Sequence, residues 1–152
     1  GRRRGPRVAF YILQVVEQPP MPRFACRLAA KAMQKGQHTY VHTATDVQAR
    51  EVDELLWSYP PHRLIPHGRL GTPEAEGAPV VVGQQTDSAD RLPTDGLMIN
   101  LADEVPAFPG RFDRIAEIVV GEKRDSGRAR YRFYRDRGYP LFPHELDDWE
   151  AR

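Results

Sequence analysis

The feature that most constrains the fold is a series of short apolar segments, each as long as one strand. Val8–Val16 (VAFYILQVV) is nearly continuous in apolar residues, as expected for a strand covered on both faces. Further strands are predicted at His38–Thr43, Pro79–Gly83, Leu97–Leu101 and, as the last strand, within Phe112–Val120. Segments of helical periodicity lie between them. This alternation predicts an α/β fold with three layers: a mostly parallel sheet with helices on both faces.

The predicted helices are marked by their end signals. Pro22–Gln34 has a proline in its first turn and apolar residues at core-facing spacing, and Gly36 closes it. Thr45 or Asp46 can cap a second helix that ends near Trp57, because the prolines that follow forbid its continuation. After it, residues 63–66 form a short edge-like piece. A last helix is predicted around residues 128–134, a run without a helix breaker, and it is stopped by a glycine and a proline at 138 and 140.

Length and composition predict one folded domain. The chain has 152 residues, of which 40% are apolar and 28% charged, typical of a soluble globular protein. We expect residues 1–7 to be a flexible arm or a cloning remnant, residues 8–142 the domain, and residues 143–152 a C-terminal tail. The opening GRRRGPR lacks the apolar segment of a secretory signal, and no apolar run approaches the roughly 20 residues of a membrane span. The single cysteine fits a reducing compartment.

The motifs of nucleotide binding and catalysis are absent from the sequence. The segment after the first strand, QVVEQPPMP, has no glycine that would let backbone approach a pyrophosphate. Cys26 lies mid-helix among apolar residues, where a buried, unreactive thiol is expected. His38 and His42 share a strand face, but no third ligand joins them at metal-site spacing. We therefore expect no catalytic residue, no metal and no cofactor.

The strongest functional pattern is basic and lies near the C-terminus. Residues 123–137 contain seven cations against two anions, although the whole chain has a net charge of +1. On a helix with about 100° per residue, four of these cations fall within roughly 80° of one another. This set, called the arginine ridge below, is Arg124, Arg128, Arg132 and Arg135. Tyr131 stands at its edge and Phe133 points the opposite way.

Two interpretations of the arginine ridge remain open at this point. It is either a solvated face whose arginine stems cover apolar surface, or a receptor for an anionic partner. Guanidinium groups favour the second interpretation because they make planar, bidentate contacts with carboxylates. A partner with several carboxylates and a terminal aromatic ring would match both the arginines and the neighbouring Tyr131.

A second candidate surface is the segment WSYPPHRLIPHG. It places Trp57, Tyr59, Leu64 and Ile65 together with three prolines outside regular structure. Some of these side chains must be part of the core. Aromatic residues among prolines in a loop are also what an anchor for a protein partner requires.

These residues together resemble one family, the chi subunit of the bacterial DNA polymerase III holoenzyme. The segments that carry the resemblance are FACRLAAKA (24–32), ELLW (54–57), IPH (65–67), MINLADEVPAF (98–108), RFDRIAEIV (111–119) and YRFYRDRGYPL (131–141). They follow the order of the family and span most of the chain, and the last of them is the most specific.

The resemblance implies a Rossmann-like fold that neither binds nucleotides nor catalyses a reaction. Members look like cytoplasmic adaptors of the clamp-loader assembly. One surface binds the C-terminal tail of single-stranded DNA-binding protein, which is acidic and ends in Pro-Phe. Carried over to this chain, that surface is Arg124, Arg128, Tyr131, Arg132 and Arg135. A second surface, for the psi subunit, falls on Trp57, Leu64 and Pro66.

Two other functions are weighed against the adaptor. The same basic helix could bind single-stranded nucleic acid directly, although a chain with net charge +1 and one short stripe neutralises few phosphates. A small α/β enzyme would require a phosphate loop or a nucleophile constellation, and the sequence shows neither.

Overall fold

A computed structural model of the chain describes residues 5–15, 19–85, 87, 91–106, 109–147 and 149. The strands are β1 (Arg7–Leu13), β2 (Thr39–Thr43), β3 (His67–Arg69), β4 (Val80–Gln84), β5 (Leu97–Asn100), β6 (Arg114–Val119) and β7 (Leu141–Leu146). The α-helices are α1 (Pro20–Gln34), α2 (Asp46–Leu55) and α3 (Arg124–Asp136). Short 3₁₀ turns occur at Pro73–Ala75, Pro109–Arg111 and Gly121–Lys123.

The strands form one sheet in the order β3-β4-β2-β5-β6-β1-β7, and all its described pairings are parallel. The predicted α/β class is confirmed, and parallel pairing extends across the whole described sheet. Because parallel strands share one direction, the carboxyl ends of β1 and β6 lie side by side at one edge.

Side chains of alternating strand positions build a separate core on each face of the sheet. In β6, Ala116 and Ile118 are buried in the cluster that α1 and α2 cover. Ile115 and Val119 of the same strand are buried in the other cluster, together with Tyr134 of α3. The molecule therefore has three layers, with α1 and α2 on one face and α3 on the other.

Local signals explain where the helices begin and end. The Thr45 hydroxyl caps α2 by accepting a hydrogen bond from the Gln48 N–H at 3.1 Å. At the end of α3, Gly138 adopts a φ of 77° and donates to the Arg135 carbonyl at 2.9 Å. The Tyr139 N–H donates to the Tyr134 carbonyl at 3.1 Å, which completes a Schellman motif. The predicted glycine cap of this helix is confirmed.

Two details of the predicted strand pattern are wrong. Residues 63–66 are not a strand; the short edge strand is β3, which begins one residue later at His67. The strand within Phe112–Val120 is not the last one, because β7 follows α3 and pairs with β1. Strand β7 has no apolar run that would mark it in the sequence. Its central residues are the exposed Pro143, His144 and Glu145, and an edge strand tolerates exposed polar residues and a proline without an N–H.

The expected domain limits fall in or near these outer elements. Arg7, placed in the expected arm, is the first residue of β1. The limit expected at residue 142 falls within β7. Residues 1–4, 148 and 150–152 of the expected arm and tail, and residues 107 and 108 of the quoted MINLADEVPAF segment, lie outside the described residues.

Candidate functional site

The four members of the arginine ridge lie on α3 with exposed side chains. Arg128 is 3.6 Å from the Asp125 carboxylate, and Arg135 is 3.3 Å from that of Asp136. Both contacts are exposed to water, where an ion pair is worth only ~0–1 kcal/mol. Among the described residues, Arg124 and Arg132 have no carboxylate at ion-pair distance. The arginine ridge is therefore a cationic surface open to solvent.

Arg130 lies between the ridge positions in sequence but points into the protein. Its side chain is only 3% exposed, and its Nε donates to Oε1 of Glu117 in β6 at 2.8 Å. One of its terminal nitrogens also donates to the Asp103 carbonyl at 2.8 Å and to the Ser126 hydroxyl at 3.0 Å. This arginine contributes to the attachment of α3 and not to its outer charge.

Glu117 is the centre of a buried polar network beneath the helix. Its carboxylate is fully buried and accepts hydrogen bonds from Arg130, from the Tyr134 hydroxyl at 2.7 Å and from the Asn100 amide at 3.0 Å. Burial raises the pKa of Glu117, while the Arg130 charge and these hydrogen bonds act in the opposite direction. Burial beside this carboxylate also raises the pKa of the Tyr134 hydroxyl. The network orients α3 and thereby the outward face of the ridge.

A cavity of about 670 Å³ opens beside the first half of the arginine ridge. Arg124, Arg128 and Tyr131 line it from the helix side. Its apolar wall comes from the ends of β1 and β6, namely Phe10, Ile12, Leu13, Val15, Val119 and Val120. The arginine side chains thus lie next to an apolar recess at the carboxyl ends of two parallel strands. Arg132 and Arg135, farther along α3, do not line the cavity.

Close packing of α3 against β6 shapes this recess. Gly127 lies in the cavity wall, and a Cβ at this position would be 3.0 Å from both methyl groups of Val119. The Tyr131 ring meets Phe10 edge-on, with the ring centroids 5.2 Å apart. These contacts hold Tyr131 half-buried at the side of the cavity.

The cavity is suited to binding an anion attached to an apolar group. Among the described residues, its titratable lining residues are Arg124, Arg128, Tyr131 and Glu145. Pro143 and Glu145 line it from β7, so the Glu145 carboxylate borders the same cavity as the two guanidinium groups. Guanidinium groups supply paired N–H donors for a carboxylate, and the strand residues supply the apolar surface for a ring.

The second predicted surface is exposed as well. Trp57 is 69% exposed and Leu64 is 79% exposed, and Pro66 is also exposed, whereas Ile65 between them is buried. These residues lie in the loop between α2 and β3. The predicted anchor residues are thus presented to solvent on one loop.

His67 holds this loop against α2. Its Nδ1 is 2.8 Å from the Ile65 carbonyl, and its Nε2 is 2.9 Å from the Asp53 carbonyl. The Trp57 ring packs against the imidazole with centroids 4.6 Å apart. The contact with His67 therefore holds the exposed indole in place.

Two of the residues set aside as candidates for chemistry, Cys26 and His42, are buried, whereas His38 is exposed just before β2. Cys26 is fully buried, and burial raises the pKa of its thiol to about 12. His42 is 5% exposed and lies 2.8 Å from the Tyr40 hydroxyl. Burial lowers the pKa of His42 to about 4. Within the described ranges, no group of three or more His, Cys, Asp or Glu residues could hold a metal ion. No α-helix in those ranges is both long and apolar enough to span a membrane.

Three features of the site were not predicted from the sequence: the cavity wall from β1 and β6, the contribution of β7, and the burial of Arg130. The cavity wall could not be predicted without knowing that β1 and β6 are neighbours in the sheet. The burial of Arg130 had a signal, because it lies four residues before Tyr134 on the face that also carries Gly127. The sequence also contained a signal for the partner of Arg130, because Glu117 is the one charged residue within the otherwise apolar end of β6 (IAEIV).

Comparison with known proteins identifies the family. Residues 6–142 match the family model described as DNA polymerase III chi subunit, HolC. The chain is 40% identical over 142 residues to DNA polymerase III subunit chi of Pseudomonas aeruginosa, covering 92% of this chain and 96% of the relative. It is 31% identical over 134 residues to the Haemophilus influenzae subunit chi, covering 87% and 92%. It is 29% identical over 133 residues to the Escherichia coli subunit chi, covering 85% and 84%. The chain therefore belongs to the family of DNA polymerase III chi subunits, accessory components of the DNA-replication machinery.

Proposed function

We propose that the chain is a non-catalytic adaptor that binds the acidic C-terminal tail of single-stranded DNA-binding protein through the arginine ridge. The observation that carries this proposal is the apolar cavity that opens beside Arg124, Arg128 and Tyr131. An exposed row of arginines alone would be a solvated face. A row of arginines that borders an apolar recess matches a peptide that ends in an aromatic residue with a free carboxylate.

The proposal gives each part of the surface a role. Arg128 pairs with the terminal carboxylate, and the last phenylalanine ring enters the cavity beside Tyr131. Arg124 binds a tail aspartate at the cavity, whereas Arg132 and Arg135 attract the acidic residues farther from the terminus. Exposed ion pairs contribute ~0–1 kcal/mol each, and burial of one aromatic side chain adds ~1.5–3 kcal/mol. We therefore expect the ring to give most of the affinity and the arginines most of the orientation and salt dependence.

A titration of two synthetic tail peptides tests the cavity. The peptide with its terminal phenylalanine should bind with a Kd on the order of micromolar, about −8 kcal/mol, and more weakly as salt is added. The peptide without that residue should bind at least about tenfold more weakly. Equal affinity for both peptides would remove the cavity from the mechanism.

A pair of matched variants tests the arginine ridge. Arg128 and Arg50 have similar exposure, with 64% and 62% of the side chain accessible, and each contacts an aspartate on its own helix. Arg128→Ala should weaken tail-peptide binding by up to about fivefold and reduce co-purification with single-stranded DNA-binding protein, whereas Arg50→Ala on α2 should leave both unchanged. If both variants were recruited like the wild type, the ridge would not be the receptor.

A gel shift with single-stranded DNA alone separates the adaptor from the alternative in which the ridge binds nucleic acid directly. We expect the ridge to contact nucleic acid only indirectly, through the tail. Substitution of Arg128 should then leave any DNA mobility shift unchanged. A shift that depends on Arg128 in the absence of single-stranded DNA-binding protein would support the alternative.

We further propose that the loop carrying Trp57, Leu64 and Pro66 binds the psi subunit of the clamp loader in the bacterial cytoplasm. Trp57 and Leu64 are large apolar side chains with most of their surface exposed, and His67 gives the indole a fixed base. Aromatic and aliphatic anchors of this kind contribute most of the affinity in protein interfaces.

A further inference from the structure

A second basic surface lies on α1, on the opposite face of the sheet from the arginine ridge. The helix has no acidic residue, and its cations recur every four residues. They are Arg23, Arg27 and Lys31, followed by Lys35 at the C-terminal cap. Residues four apart lie on the same side of a helix, so this row runs along α1 for about 18 Å.

A groove of about 420 Å³ separates this row from the edge of the sheet. It is lined by Lys31 and Lys35 of α1, by Tyr11 of β1, by Arg114 of β6 and by His144 of β7. Lys31, Lys35 and Arg114 are exposed, and no carboxylate lies at ion-pair distance from them in the part of the chain that the structure describes. The positive charge of these three side chains therefore faces the groove.

The sheet side of the groove carries flat side chains: His144 is exposed, and Tyr11 behind it is half-buried and also packs against Phe24. His144 and Tyr11 are register partners on neighbouring strands and stack with ring centroids 5.3 Å apart at an interplanar angle of 20°. Two residues back along β7, on the same face, Phe142 is 37% exposed, and the Arg7 guanidinium lies 4.5 Å above its ring. The edge of the sheet thus presents planar groups in a row, with cations on either side.

We propose that this groove, called the α1–β7 groove, binds single-stranded nucleic acid without sequence preference. Proteins that do so combine a cationic groove that follows the backbone with aromatic side chains on which bases stack. Both parts are present in the groove, and the stacked ring pair favours a base over an acidic peptide. A peptide would neutralise the cations but would leave the exposed His144 ring without a planar partner.

Fluorescence anisotropy with a labelled oligothymidylate of about 12 nucleotides tests the proposal. Neutralisation of three cations predicts that log K falls with log salt with a slope of about −2, because each contact to a single strand contributes about 0.7. The double variant Lys31→Gln/Lys35→Gln should weaken binding and reduce this slope by about 1.4. His144→Ala should weaken binding about fivefold or more, since it removes a ring on which a base can stack.

The matched control removes two exposed cations from the arginine ridge instead. Arg124→Gln/Arg128→Gln should bind the oligonucleotide within about twofold of the wild type, while the groove variants should bind the tail peptide normally. Unfolding curves in urea verify that each variant is folded, as expected for exposed positions. The two titrations therefore test the arginine ridge and the α1–β7 groove independently, and either proposal can fail without the other.

Three outcomes would overturn the proposal. The first is no binding of the oligonucleotide by the wild-type chain at the lowest salt. The second is a loss of oligonucleotide binding in the ridge variant and not in the groove variant. The third is a groove variant that loses affinity for an acidic peptide but keeps its affinity for the oligonucleotide, which would identify a peptide site.

Discussion

Arg128 and Arg130 show how two identical residues on one helix acquire opposite roles. Arg128 is exposed beside the cavity, whereas Arg130 is buried and paired with Glu117. The difference comes only from helical direction, because two positions along a helix turn a side chain by about 200°. A buried arginine is retained because its partner carboxylate would otherwise be left without a countercharge.

We expect Arg130→Ala to destabilise the protein by about 3–5 kcal/mol, because it leaves the Glu117 carboxylate buried without its cation. Urea unfolding monitored by circular dichroism measures the change. Arg128→Ala, on the same helix, should leave the unfolding midpoint unaltered. A loss of less than about 1 kcal/mol for Arg130→Ala would show that the network is not needed for stability.

His42 should make stability fall in acid. Its pKa is lowered to about 4 in the folded protein, against about 6.5 in an unfolded chain. Between these two pH values the imidazole binds a proton in the unfolded chain but not in the folded protein. The contribution of neutral His42 to the free energy of unfolding is therefore complete above pH 6.5. It is lost as the pH falls towards 4, by up to about 3 kcal/mol.

The variant His42→Gln isolates this effect, because all other titrating groups remain. Unfolding free energies measured at pH 7 and pH 4.5 should differ less in the variant than in the wild type. Parallel pH dependences of the two proteins would show that His42 does not titrate between these values.

At the scale of elements, the function of α3 depends on how closely it approaches β6. The missing side chain of Gly127 brings the helix onto Val119 and leaves room for the cavity beside it. The same helix therefore performs two tasks: its inner face packs on the sheet through Tyr134 and the Glu117 network, and its outer face carries the arginine ridge.

We expect Gly127→Leu to weaken binding of the tail peptide at least tenfold and to destabilise the protein by about 1–3 kcal/mol. The new side chain would fill the cavity wall and push α3 away from Val119. The control is Ala129→Leu, at an exposed position of the same helix, which should change neither property. Unchanged peptide affinity in a folded Gly127→Leu protein would contradict the assigned cavity.

At the scale of the whole molecule, one parallel sheet separates the candidate surfaces. The arginine ridge lies on α3 on one face, the α1–β7 groove lies on the other face, and the Trp57 loop follows α2. A sheet that keeps these surfaces apart suits the proposed adaptor, since partners could bind without competing for the same residues.

The variants Trp57→Ala and Leu64→Ser should each abolish binding of psi while changing the unfolding free energy by no more than about 0.5 kcal/mol, because both side chains are exposed. Their affinity for the tail peptide should equal that of the wild type. In a protein that combines Leu64→Ser with Arg128→Ala, the two losses should be independent, as expected for distant sites. Mutual dependence of the two binding reactions would show that the surfaces are coupled.

Much of the fold could be predicted because the strands carry strong local signals. Apolar runs such as residues 97–101 and caps such as Thr45 and Gly138 depend on neighbours in sequence, so the alternation of strands and helices was visible. Strand β7 was not, because an exposed edge strand needs no apolar pattern. The arginine ridge was also predictable, since helical spacing alone aligns its members.

By itself, the sequence determined the α/β class, the Thr45 and Gly138 caps and the cationic face of α3. Each of these follows from residues within a few positions of one another. Tertiary structure alone decided that Phe10 and Val119 meet beside Arg128, that Arg130 turns inward to Glu117, and that His144 stacks on Tyr11. These contacts join residues far apart in the chain, and they exist only because strand order places β1 between β6 and β7.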